Sequence, residues 1–219
     1  MTHRFLKLNR LKRENQKLDM VLILAYGNSL RRDDGAGFVL AGMVERMLFD
    51  AGFDVQRIDS RQLEPEHALD ISSEKISALL FIDTRAVHTT PDEAKMLFPI
   101  AAAGFPPPAP VSGTRSCLPA AAANGMRVQF ESVVSADSRS AGIGHYLSPS
   151  TLLAFVAYLF KKQPPAWLIT VPGIDFDHGE GLSDTARKAI DSAPEILREL
   201  IRLLPMKMKS CKRSEDPTL

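Results

Sequence analysis

Val21-Leu22-Ile23-Leu24-Ala25-Tyr26 is an unbroken apolar run that stops at Gly27-Asn28. A strand with one wet face alternates polar and apolar residues. A strand covered on both faces has no polar side to show, so this run predicts a central strand of a parallel sheet. The period then changes. From Leu40, apolar residues recur at Met43, Val44, Met47, Leu48 and Ala51, the spacing of a helix with one face on a core, and Gly52 suits its end. Val55 to Asp59 predicts a second strand. Glu64-Pro65-Glu66 opens a short helix carrying Ala68 and Leu69, with Pro65 fitted to its first turn, and Ala78 to Asp83 predicts a third, buried strand. This β-α-β-α-β order calls for a parallel sheet with right-handed crossovers, covered by helices.

The stretch from Pro91 to Asn124 interrupts the rhythm. Phe105-Pro106-Pro107-Pro108-Ala109-Pro110 fits neither a helix interior nor a central strand, so the stretch reads as a long surface insertion. Regularity returns with a strand at Val128 to Val133 and a helix from Ser150, on which Leu152, Leu153, Phe155, Val156, Leu159 and Phe160 form a broad apolar face ended by Pro164-Pro165. Trp167 to Val171 is a further strand. Ser183 caps an amphipathic helix through Ala186, Ala189, Ile190, Ala193, Ile196, Leu197, Leu200 and Ile201, which Pro194 kinks or splits. The expected fold is α/β: a three-layer α/β/α sandwich around a mostly parallel, twisted sheet of about five strands. Residues 1–19 read as a polar arm, 20–205 as the domain with its insertion at about 91–124, and 206–219 as a basic tail.

Bulk composition narrows the function classes. The 219 residues are 45% apolar and 24% charged, ordinary values for a chain that buries a sizeable core. Lys plus Arg (27) nearly balance Asp plus Glu (26), so no global field attracts nucleic acid or an anionic membrane. Cys117 and Cys211 form neither a metal-binding pair nor a disulfide framework, which suits a reducing compartment. Leu8 to Asp19 is too polar for a signal core, and no stretch of about 18 uncharged apolar residues follows. The cytoplasm is the expected location, and a monomer the expected state.

In an open parallel sheet, ligands collect beyond the carboxyl ends of the strands. Three polar groups belong to that edge: Gly27 to Gly37 after the first strand, Asp83-Thr84-Arg85 after the third, and Gly144-His145 before a helix. In Gly27-Asn28-Ser29-Leu30-Arg31-Arg32-Asp33-Asp34-Gly35-Ala36-Gly37, two consecutive acids argue against a phosphate cradle, and the glycine spacing is not GxGxxG. Asp33 or Asp34 is also suited to capping a helix, Asp83 to capping or holding a loop, and His145 to a solvated loop. Together Asp34, Asp83 and His145 offer two carboxylates and one imidazole from separate connections, a set suited to a divalent metal such as nickel or zinc.

The sequence Tyr26-Gly27-Asn28-Ser29-Leu30-Arg31-Arg32-Asp33-Asp34-Gly35-Ala36-Gly37, then Ile82-Asp83, His145, Val171-Pro172-Gly173 and Gly181-Leu182-Ser183, resembles the hydrogenase maturation proteases from about residue 20 to residue 200. Gln62-Leu63-Glu64-Pro65-Glu66 and His145-Tyr146-Leu147-Ser148-Pro149 are similar to a branch associated with soluble, cofactor-reducing nickel-iron hydrogenases. The resemblance implies an endopeptidase that clips a C-terminal extension from the precursor large subunit once nickel has been inserted. It implies that Asp34, Asp83 and His145 meet the metal and that the nickel is supplied by the substrate; hydrolysis then runs either through metal polarisation of the carbonyl or a metal-bound water, or through Asp34 or Asp83 as the catalytic general base. Ala25 and Thr84 depart from the glycine and alanine common at those positions in the family. His88, close after Asp83, reads first as an exposed loop histidine and second as a substitute ligand, and His67 and His178 also read as surface residues. Two other functions fit the same scaffold: a non-cleaving escort that senses the metal, and a small-molecule hydrolase or nucleotide binder. The absence of a G-x-S-x-G elbow, a Walker A loop and GxGxxG argues against the last.

Overall fold

Alternation along β1 (Met20–Tyr26) explains why the strand carries no polar residue before Tyr26. Val21, Ile23 and Ala25 enter one core cluster and Leu22 and Leu24 enter another, on opposite faces of the sheet. The computed structural model describes residues 20–87, 126–136 and 147–205. Around β1 lie β2 (Asp54–Ser60), β3 (Ile76–Ala86), β4 (Gln129–Ser132) and β5 (Ala166–Gly173), in one sheet of order β2-β1-β3-β5-β4. All neighbours are parallel except β4, which runs antiparallel to β5 at the edge.

Helices α1 (Ala36–Asp50), α4 (Asp184–Asp191) and α5 (Ala193–Leu203) cover one face through Leu40, Val44, Leu48, Ile190, Leu197 and Leu200. The other face is covered by α2 (His67–Ser72) and α3 (Pro149–Phe160), through Ala68, Ile71, Leu152, Leu153 and Val156. The expected α/β/α layering with five strands is therefore present. Among the described residues, no helix is long and apolar enough to cross a membrane.

Several boundaries differ from expectation, each for a physical reason. Helix α1 begins at Ala36, behind a 3-10 turn at Arg32–Gly35, and not at Leu40. Its first turn packs with small residues: a Cβ on Gly37 would sit 3.5 Å from the Asp83 Cα, so no large apolar residue marks the contact. On α3 only Leu152, Leu153 and Val156 are buried, whereas Phe155, Leu159 and Phe160 are exposed, so its core face is narrower than the sequence implies. Pro194 splits the last helix instead of kinking it, and occupies the first turn of α5, where a missing N–H costs nothing.

Strand β3 also runs past Asp83 to Ala86, so Asp83 pairs with Thr170 of β5 inside the strand and does not end it. The Val87 N–H to Gly173 carbonyl bond puts the odd-numbered β5 residues on the β3 side. Pro172 therefore turns its nitrogen toward β4, whose pairing stops at Gln129 opposite Thr170, and no ladder bond is lost.

Candidate active site

Where β1 ends, the chain folds back sharply. Gly27 has φ +149°, and a Cβ there would lie 2.2 Å from the Asp34 carbonyl oxygen, so only glycine fits. The Asn28 side chain accepts the Leu30 N–H at 3.0 Å, and its carbonyl accepts the Arg31 N–H at 3.0 Å. This Asx-type turn presents the two acids to different surroundings. The loop is then tied to the β5–α4 connection: Arg32 N–H donates to the Gly179 carbonyl and Gly179 N–H to the Leu30 carbonyl.

Asp33 is fully buried and serves as an internal staple. Its carboxylate accepts from the Ile174 and Asp175 N–H groups at 2.9 and 3.1 Å, and from the Ser183 N–H and hydroxyl, each at 2.7 Å. Burial alone would push this carboxyl up. The bonds from Ser183, Ile174 and Asp175 outweigh it and hold the group below the ordinary carboxylate range. Ser183 Oγ also accepts the Ala186 N–H at 3.2 Å, so the expected cap of α4 carries the Asp33 bond as well.

Asp34 points away from that network. It caps no helix, because Gly35 occupies the N-cap position of α1 without a side-chain bond. Partial burial raises its carboxyl, against the opposing pull of the Arg31 charge and the Asn28 N–H. Asp83 faces the same region from β3. Its carboxyl is pushed up to about 6, chiefly by burial; the Thr84 N–H and the Tyr26 hydroxyl favour the ionised form, and the charge of Asp34 disfavours it. Tyr26 and Asp83 are next to each other because Ala25 pairs with Ile82 in the β1–β3 ladder, and each lies one residue further on. Burial and the Asp83 charge together raise the Tyr26 hydroxyl. Thr84 Oγ1 accepts the Gly37 N–H at 3.2 Å, tying the start of α1 to β3.

The structure thus places Asp34 and Asp83 within electrostatic reach of each other at the carboxyl edge, where β1 and β3 lead to opposite halves of the sheet and the start of α1 lies against Asp83–Thr84. His145 and His88 lie outside the described residues. Among the described residues no group of three His, Cys, Asp or Glu side chains is arranged for a metal ion. His178 is exposed as expected. His67 is not a surface residue: it is 8% exposed, and its Nδ1 accepts the Glu64 N–H at 3.0 Å, closing the turn that leads into α2. Three contributors escaped the sequence reading, namely Asp33 as staple, Tyr26 as partner of Asp83, and Thr84 as clamp. The signals were a polar tip at the end of the apolar β1 run for Tyr26, a departure from the family's alanine for Thr84, and a place beside Asp34 in the signature for Asp33.

Asp83 lies at the β3 side of an open cleft of about 590 Å³ that extends over β5 to β4. Gly27 to Leu30 line a second hollow, of about 430 Å³, toward the end of β2.

The hydrogenase maturating endopeptidase HybD from E. coli superposes with a TM-score of 0.50 at 15% identity, over 84% of this chain and 92% of that one. The chain shares its fold. The [NiFe] hydrogenase maturation proteases HycI and HybD from Thermococcus kodakarensis give TM-scores of 0.49 and 0.45 at 12% and 19% identity, covering 88% and 83% of this chain and 99% of each of theirs. No family model matches the sequence, and neither does any curated protein.

Chemically, Asp34 and Asp83 are two half-desolvated oxygen donors that repel each other when both are ionised. A divalent cation held between them would relieve that repulsion, so the pair suits a cation with open coordination positions. A carboxylate of pKa about 6 is also matched to accepting a proton from water near neutral pH.

Proposed function

We propose that this chain is a cytoplasmic endopeptidase that removes the C-terminal extension of the nickel-loaded large subunit of a nickel-iron hydrogenase. The observation that carries the reading is the convergence of Asp34 and Asp83, from separate connections, at the switch point of the sheet. The likeness in fold to the E. coli hydrogenase maturating endopeptidase supports it, as does the signature from Gly27 to Gly37. Nickel belongs to the substrate and reports that loading is complete. Asp34 and Asp83, with His145 as the third ligand, would contact that ion and leave positions for the substrate's own ligands. Hydrolysis then proceeds by one of two routes, with Asp34 or Asp83 as general base on the attacking water or with the metal polarising the scissile carbonyl. The resemblance to the branch acting on soluble, cofactor-reducing hydrogenases makes such an enzyme the first substrate to try.

The test mixes the purified chain with precursor large subunit, nickel-loaded or nickel-free, and reads the mass of the subunit's C-terminus. Loss of a C-terminal peptide from the loaded form alone is the expected result, and Asp34→Ala, Asp83→Ala and His145→Ala should each abolish it. Binding without cleavage would replace the protease with an escort. Processing at the wild-type rate by all three variants would remove the site.

A further inference from the structure

Strand pairing generates a feature that runs outward from Asp83. In the β3–β5 ladder Asp83 is opposite Thr170, and in the β5–β4 ladder Thr170 is opposite Gln129. Residues directly opposite share a face of the sheet, so Asp83, Thr170 and Gln129 form one transverse row on the side covered elsewhere by α2 and α3. All three line the 590 Å³ cleft. With strands ~4.8 Å apart the row is ~10 Å long, about three residues of extended chain. It ends at β4, the edge strand of the described sheet.

We infer that this row is the binding groove for the substrate segment flanking the scissile bond, with the extended polypeptide lying across β3, β5 and β4. The inference rests on the proposed peptidase reading and deepens it. The lining chooses the ligand class. Among the described residues, Arg85, Glu131 and Asp83 bring charges of both signs into the cleft, with carboxylates in excess, which is unfavourable for a phosphate or another polyanion. An apolar ligand would strip water from the polar row without replacing its hydrogen bonds. An extended peptide brings alternating N–H and carbonyl groups that need partners when they leave water. The Thr170 hydroxyl and the Gln129 carboxamide each donate and accept, so they serve either group along the chain.

The test uses the full-length protein and the loaded precursor. Gln129 is exposed, so Gln129→Ala leaves the fold alone; Thr170→Val removes the hydroxyl while keeping the shape. Steady-state cleavage by each variant and by the double variant should show KM raised several-fold, and about tenfold in the double, with kcat far less affected. Thermal melts identify a variant that has merely lost stability. In parallel, a labelled peptide of the extension and its preceding residues should bind the Asp83→Asn protein, and do so about tenfold more weakly when Gln129→Ala and Thr170→Val are added. Cleavage with unchanged KM in the double variant would overturn the groove and leave the peptidase reading standing. A weakened Kd without any cleavage would support the groove and defeat the peptidase. Neither cleavage nor binding by the unsubstituted protein would defeat both.

Discussion

Asp33 and Asp34 are chemically identical neighbours with opposite duties. Asp33 accepts four hydrogen bonds, so truncating it leaves the part-buried Ile174, Asp175 and Ser183 donors without that partner. Asp33→Ala should cost about 3–5 kcal/mol by chemical denaturation, a large part of a typical domain's stability. Its carboxyl lies below the ordinary range in the fold, so its contribution is complete above the unfolded pKa and fades as pH falls through the folded one. Asp83 behaves in the reverse sense. Its folded pKa of about 6 exceeds the unfolded value, so ionisation weakens the fold as pH rises from about 4 through 6, and the full cost is present above that. Asp83→Asn should therefore raise stability by roughly 1–3 kcal/mol at pH 8, give little at pH 4, and abolish processing. Equal gains at both pH values would exclude the ionisation account. Both roles were beyond the sequence, which showed the pair of acids but not which one faces the interior. That distinction depends on Ser183 and Asp175, which only the tertiary fold brings near.

The elements themselves were largely legible, because β1 and β3 are apolar on both faces and α1 repeats with helical period. What sequence missed lies at their ends nearest the site, where small residues and short polar contacts replace large apolar ones. The 3-10 turn before α1, the extension of β3 past Asp83 and the antiparallel sense of β4 all depend on contacts with other elements. At this scale Gly27 is the most exposed to substitution. Gly27→Ala would meet the Asp34 carbonyl in a backbone region that alanine rarely adopts. The variant should remain folded by circular dichroism, lose a few kcal/mol, and lose processing by far more than its stability explains, because the displaced residue is Asp34. Thr84→Ala is the mild counterpart. It removes the acceptor of the Gly37 N–H and should cost about 0.5–1 kcal/mol, read as a small shift in the urea midpoint.

For the whole molecule, the two faces of the sheet are held by separate helix layers, and the layer nearer the C-terminus is essential. Leu197, Leu200 and Leu204 are each at most 4% exposed, against the cluster that includes β1 and α1. Removing them forfeits roughly 1.5–3 kcal/mol each, comparable in sum to the stability of an entire domain. A chain truncated after Ser192 should show no cooperative thermal transition. His145 marks the limit of legibility at this scale: its place in the signature is readable from sequence, but it lies outside the described residues. The Asp33–Ser183 staple has a further consequence in time. Its partners are 150 residues apart, and a polypeptide emerges from the ribosome one end first. Asp34 is synthesised long before the serine that anchors its loop through Asp33, so the acid emerges well before the scaffold that aims it.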